Sequence, residues 1–493
     1  MADGGNGMQV AVIPGHLPFL DVLARRWMER APGAGSADGV AADPLFAARG
    51  MVILPTRRAA RSLGEAFLRR GGGRPMLLPR VVALGAIDEA PLVLAGELEL
   101  PPAVEPMRRL GALSRLVLAA GGRFGTADSL DQAWPLAQAL AELMDEAERV
   151  DCVLADKLPQ AVDRFAEHWQ VTLEFLAIVT AAWPDWLAEN GVMNPVARQM
   201  AVLRAQARAW EEAPPPHPVW AAGFTTALPA EAELLRAVAM LPAGMLLLQG
   251  LDPGPFAGCD QVLAGTLAAR HWDALPASHP EAGVARMLRR VGVRREDLRC
   301  WDDAAHFPQA LPPNRPRMLS RVLLPEQALG DWMADRDPVA LDGMSRLAGA
   351  DGQEEAGAIA LAMRAALERP GAQAALVTPD RALARRVAVE LRRWGVAVDD
   401  SAGESLADTP PAVLLRLLVE AVANGLSPVA LLALLKHPLA AGGMAPAAFR
   451  FEARRLERFV LRGPAPAPGF AGLRRAVNAA ADAAGRTERP EEA

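Results

Sequence analysis

The sequence predicts an α/β protein of two lobes, the first carrying a helical insert. Three observations predict it. Short β-rich runs alternate with helix-period runs in two separate regions, the pattern of parallel strands joined by helices. A strand-free stretch of helical periodicity divides the first region. Clusters of proline and glycine then mark the joints between these regions.

Val10–Ile13 reads as a buried strand, Pro14-Gly15-His16-Leu17-Pro18 as a turn, and Phe19–Met28 as a helix. A Gly/Ala-rich loop covers about 31–44. Met51–Leu54 is a second strand, Pro55-Thr56 a turn, and Arg57–Arg70 a helix, with Thr56 as N-cap and Gly71-Gly72-Gly73 as the stop. From 105 to 212 the pattern is helical. Ser129-Leu130-Asp131-Gln132 fits a capping box, followed by Leu136, Leu140, Leu143, Met144 and Ala147 at helical spacing. Phe165, Trp169, Thr172, Leu176, Val179 and Trp183 then step by three and four, the spacing of a face packed on neighbours rather than of a base-stacking platform.

Pro214-Pro215-Pro216-His217-Pro218 marks a boundary. Strand-like Val219–Gly223, a helix near Ala230–Met240 and strand Met245–Leu248 follow. Residues 253–345, rich in Pro, Asp and Trp, read as a connecting segment. A second α/β unit starts near 346. It has a helix at Gln353–Leu367, a strand at Ala374–Val377, a helix start at Thr378-Pro379-Asp380 with proline in the first helical position, and a strand at Val396–Val398. Thr409-Pro410 and Ser427-Pro428 open two more helices, and the last thirty residues lose all pattern. The expected division is 1–104 and 213–252 for the first lobe, 105–212 for its insert, 253–345 for the connection, 346–409 for the second lobe and 410–493 for further helices with a disordered end.

A length of 493 residues suggests about three domains, at ~150 residues each. No window approaches eighteen uncharged apolar residues, which excludes a membrane span. The polar, Gly-rich start lacks the features of a signal peptide, and Cys152, Cys259 and Cys300 match no metal-ligand spacing. Both point to the reducing cytoplasm. The net charge of −6 confines any nucleic-acid binding to local patches.

Lysine is the most informative residue type. Of the 52 Lys and Arg, only Lys157 and Lys436 are lysine. Neither follows a glycine as a P-loop requires, because Asp156 and Leu435 precede them. Neither has the acid two residues earlier that a PD-(D/E)xK nuclease core needs, because Ala155 and Leu434 stand there. The seven histidines form no H-x-x-x-H pair, and neither G-x-S-x-G nor G-x-G-x-x-G occurs. The adjacent acids Asp399-Asp400 read as a loop cap.

Two segments echo each other. Val52–Gly71 and Leu376–Gly395 each run strand, Thr/Pro turn, Arg-rich helix and Gly stop, and at an offset of 323 Arg58 matches Arg381 while Arg69-Arg70 match Arg392-Arg393. Residues 57–74 carry a net +5 and residues 380–393 a net +3. Helix N-termini with guanidinium groups nearby favour phosphates. Thr56, Arg57, Arg58 and Arg61 in the first lobe, and Thr378, Arg381 and Arg385 in the second, are therefore the expected DNA-binding residues.

Val52–Arg61 and Ala375–Arg386 resemble the single-strand-contacting segments of superfamily 1 helicases. Ala222–Ala230, Leu248–Asp252, His279-Pro280, Leu406–Pro411 and Leu434–Leu439 together resemble the AddB family of alphaproteobacterial type. That resemblance runs from about 10 to 475. It implies two RecA-like lobes, the second incomplete, with 410–493 as the start of a second helical insert, and a role in a helicase–nuclease that resects double-strand breaks for homologous recombination. The implied partners are single-stranded DNA, double-strand ends and an AddA-like helicase–nuclease subunit in a heterodimer, with a nucleoid-associated place in the cytoplasm. The family's Mg and iron–sulfur cluster belong to a C-terminal nuclease domain that this sequence does not contain, so the chain is expected to be an N-terminal portion of such a protein. The P-loop position near Gly15 is degenerate, and no catalysis by the chain alone is expected. The competing expectation is a free-standing two-lobed α/β enzyme that binds an anionic small molecule.

Overall fold

A computed structural model describes residues 7–29, 48–73, 75–86, 99–124, 128–157, 176–251, 275–301, 304–307, 321–334, 343–403 and 405–487, with isolated positions between them. The expected loop at 31–44, the stripe residues Phe165, Trp169 and Thr172, and Arg74, Asp252 and Cys259 lie outside the described residues. The chain divides into two compact units, Met1–Asp342 and Gly343–Ala493.

The first unit is built on a six-stranded, all-parallel sheet. Its strands are β1 (Val10–Ile13), β2 (Met51–Leu54), β3 (Arg80–Ala83), β4 (Val219–Ala222), β5 (Gly244–Gln249) and β6 (Arg299–Cys300), in the order β3-β2-β4-β5-β1-β6. Such strands are buried on both faces, which is why β1, β2 and β4 read as continuous apolar runs. Side chains still alternate between faces. Ala11, Ile13, Val52, Leu54, Trp220 and Leu247 pack against α1 (Phe19–Glu29) and α2 (Arg57–Arg70). Val10, Val12, Ile53, Ala221, Leu246 and Leu248 pack on the opposite layer.

A satellite core forms between α3 (Pro106–Phe124), α4 (Leu130–Arg149) and the turn leading into α5 (Trp183–Glu189). It contains Leu113, Val117, Leu140, Met144, Val179 and Trp183. The buried Trp183 and Val179 and the half-buried Leu176 agree with packing as the role of that end of the stripe. Helix α6 (Pro195–Glu212), the last of the helical stretch, leaves this core. With α7 (Pro229–Met240) and α8 (Ala282–Val291) it covers the sheet.

Several expectations need correction. The stretch 253–345 is more than a connection: α8 supplies Val284, Met287, Leu288 and Val291 to the core, and β6 extends the sheet. Strand β3 went unread because four residues behind Pro79 are too few to show a period. The Ser129 side chain makes no cap bond; instead the Gln132 side chain accepts from the Asp128 N–H at 2.9 Å.

The second unit contains no paired strand among the described residues. Ala374–Val377 and Val396–Val398 form no strand, since a β-rich run becomes a strand only beside a partner. The unit consists of α9 (Gly352–Leu367), α10 (Arg381–Arg393), α11 (Pro410–Ala423), α12 (Pro428–Leu435), α13 (Pro446–Leu456) and α14 (Gly469–Thr487). Helix α14 lies in the end expected to be disordered. Its alanines favour a helix but leave too few large apolar residues to draw a stripe. Ala356 and Ala360 of α9 meet Val387 and Leu391 of α10, and Leu376 and Val396 rest on that cluster.

Candidate nucleic-acid interface

Helix α2 starts at the carboxyl edge of the sheet, directly after β2. Thr56 is extended (φ −135°, ψ 155°), and its Oγ1 accepts the Ala59 N–H at 3.1 Å, the N-cap expected of it. Leu63, Ala66 and Phe67 are buried and Ala59 is half-buried against the sheet, so the opposite face is left to solvent. Arg57, Arg58 and Arg61 are exposed there. Among the described residues, Arg57 and Arg61 make no side-chain hydrogen bond or ion pair, and at four residues apart they share a face.

The far end of the helix is different. Arg69 holds Asp21 of α1 with two bonds, Nε to Oδ1 at 3.2 Å and Nη2 to Oδ2 at 3.1 Å. Arg70 adds a second cation at 3.7 Å and lies over the Phe307 ring. These two arginines, part of the net +5 of the sequence, are tied into the fold. The hydrogen bond to Asp21 raises the Arg69 pKa further. The basic patch therefore narrows to the first turn of α2.

Two features lie at the carboxyl ends of the strands next to β2. Gly223, just past β4, approaches Phe19 and Pro55, and the loop beyond it carries exposed Thr225 and Thr226. On the other side, Leu84, Gly85, Ala103, Pro195, Arg198, Gln199, Val202 and Leu203 line a cavity of about 220 Å³ at the end of β3.

The degenerate P-loop position is a tight turn. Leu17 N–H donates to Pro14 O at 3.0 Å, and Gly250 N–H donates to Ile13 O at 2.9 Å. A Cβ on Gly15 would stand 3.3 Å from the Gly250 Cα. In a doubly wound sheet, cofactors sit where neighbouring strands send their connections to opposite sides, here between β1 and β5 and again between β2 and β4. Backbone meets backbone at the first of these.

The second unit departs from the expected symmetry. The N-cap of α10 is Asp380, not Thr378, and its carboxylate accepts from the Ala382 and Leu383 N–H groups. Thr378 Oγ1 accepts from the Asp380 N–H at 3.0 Å, and Pro379 precedes the cap instead of occupying the first helical position. Asp380 therefore already places a negative charge at the α10 N-terminus. Arg381 forks onto Asp400 at 3.2 and 2.5 Å, and that hydrogen bond raises its pKa. Asp400 also accepts from the Ala402 N–H, which is the loop-capping role. Arg385 is exposed and makes no ion pair among the described residues.

The helix starts also move the internal echo to an offset of 324. Arg57 then matches Arg381, Arg61 matches Arg385, and the buried pairs Leu63/Val387 and Phe67/Leu391 coincide. Burial, which the sequence comparison did not weigh, sets this register.

Among the described residues, no cluster of three or more His, Cys, Asp or Glu could hold a metal ion, and no helix is long and apolar enough to cross a membrane. No protein-family model and no curated protein matches this chain.

Proposed function

We propose that this chain is a DNA-binding, non-motor part of an AddB-like subunit. It would act with an AddA-like helicase–nuclease partner on double-strand ends during recombination at the nucleoid. One observation carries the reading. The first turn of α2, at the carboxyl edge of a parallel sheet, joins a hydroxyl cap to two arginines on one face without acidic partners among the described residues. Free N–H groups and guanidinium forks at such a place favour phosphate oxygens. In this reading the first unit is a RecA-like lobe whose nucleotide position is lost. The tight Pro14–Leu17 turn and the missing lysine both support that loss. The small-anion enzyme is the weaker reading, because the Gly15–Gly250 approach narrows one of the two crevices that such an enzyme would use.

The test is fluorescence anisotropy with labelled dT30 across a salt series. Replacing Arg57 and Arg61 together by alanine should flatten the slope of log K against log salt by about 1.4, at ~0.7 per phosphate contact. Arg115 and Arg208, exposed and without ion pairs among the described residues, are the control pair. If both double variants behave alike, α2 is an ordinary solvated helix and the proposal fails.

A further inference from the structure

Helix α13 and the π-turn that continues it (Glu457–Leu461) divide into two unlike halves. Ala453 and Leu461 are buried, and Phe449, Leu456 and Val460 are half-buried. Glu457 is held by Lys436 Nζ at 2.7 Å and Arg462 at 3.1 Å, which ties the turn to the end of α12 and lowers the Glu457 pKa. The other half is open. Arg450, Arg454 and Arg458 recur every fourth residue, all exposed and without an acidic partner among the described residues. At 1.5 Å per residue they are spaced by about 6 Å, on the order of the separation between phosphates along an extended strand. Beside this row runs a second one, Phe451, Arg455 and Phe459. The two rings are 60% and 65% exposed, an unusual state for phenylalanine. Arg455 lies 6.0 Å from the Phe451 ring centre and Arg458 5.7 Å from that of Phe459.

We propose that this face binds single-stranded nucleic acid, the arginine row meeting phosphates and the two phenyl rings stacking on bases. The arrangement favours that occupant. A single strand offers π-faces and a charged backbone side by side, which is how the two rows are laid out. A duplex hides its base faces and leaves the rings without a role. A helix lying in a membrane surface sets its charged and apolar residues on opposite faces; here they interleave on one. The site is separate from α2 and does not depend on the reading of the first unit.

The experiment uses the full chain in the native and the R57A/R61A backgrounds, with labelled dT30, a blunt 30-base-pair duplex, and vesicles containing phosphatidylserine. R450A/R454A/R458A should flatten the dT30 salt slope by about 2, from three contacts. F451A/F459A should weaken dT30 binding by about tenfold or more with the slope unchanged, and leave duplex binding as it was. These positions are exposed, so thermal unfolding should stay near that of the parent; Arg→Gln replacements serve if an alanine variant fails to fold. Binding of dT30 by both variants that matches the parent in each background overturns the proposal. A loss confined to vesicles also overturns it, in favour of a lipid surface. An effect here together with none from R57A/R61A would sink the α2 site and leave this one standing.

Discussion

Gly15 and Gly250 meet backbone to backbone at the carboxyl ends of β1 and β5: a Cβ on either would lie 3.3 to 3.4 Å from the Cα of the other. Gly250 also has φ +60°, a conformation that costs an L-residue roughly 1–2 kcal/mol. Gly250→Ala should therefore lower stability by about 1–2 kcal/mol or more in denaturant titration, and Gly15→Ala, with no such φ, by less. Equal and negligible losses would mean that the two turns do not touch. The same contact predicts that the chain alone shows no DNA-stimulated ATP hydrolysis.

Thr56 and Asp380 hold the same helical position in the two units but differ in charge. Thr56→Ala should cost about 1 kcal/mol of stability through the lost cap. Thr56→Asp should keep the cap, since a carboxylate suits a helix N-terminus. The aspartate variant should nevertheless bind dT30 several-fold more weakly than wild type, because its charge opposes a phosphate. Thermal unfolding and anisotropy on the same preparations separate the two effects. Undiminished binding by a stable T56D variant would remove α2 from the interface.

What the sequence made legible was local. Leu63 and Phe67 announce the buried face of α2 by their spacing, and Thr56 announces its start. The apolar runs of β1 and β2 mark buried parallel strands for the same reason. What depended on partners distant in the chain stayed hidden. Nothing in the sequence distinguishes Arg69 from Arg57; the fold brings Asp21, 48 positions away, against Arg69 alone of the two. Ala374–Val377 has strand composition yet finds no strand to pair with among the described residues. The Arg450–Phe459 face was missed because arginine and phenylalanine interleave there without any named motif; their exposure distinguishes them, and exposure is a property of the fold.

Arg381 and Arg385 present a similar contrast. Arg381 spends its fork on Asp400 and so anchors the 400–402 turn, whereas Arg385 has no such bond. Arg381→Ala should change stability by no more than about 1 kcal/mol, the range of an exposed pair, and leave the dT30 salt slope as it was. Arg385→Ala should reduce the slope by about 0.7 if α10 meets a phosphate. The reverse ranking would show that Arg381 releases Asp400 when DNA binds.

Glu148 closes a polar chain inside the helical stretch. Trp183 Nε1 donates to Asn194 Oδ1 at 3.0 Å, Asn194 Nδ2 donates to Glu148 Oε1, and Glu148 Oε2 accepts the Ala197 N–H at 3.1 Å, near the start of α6. Burial raises the Glu148 pKa above its ordinary value of 4.5; the Asn194 bond, the nearby Arg109 charge and the Ala197 N–H oppose that rise without cancelling it, and Asp145 adds to it. Arg109 itself is spent on Asp145 at 2.8 Å and on the Ala141 carbonyl. A carboxyl whose pKa is higher folded than unfolded stabilises the fold below its unfolded pKa, and that contribution is lost as pH rises through the folded value. Glu148→Gln removes this titration while keeping one acceptor for the two donors. The stability of E148Q relative to wild type should therefore rise as pH increases from 4 towards neutrality, read by urea denaturation at successive pH values. A difference that stays flat across that range would mean that Glu148 is not strained by its burial. A difference that falls with pH would mean that Arg109 and the amide donors outweigh desolvation.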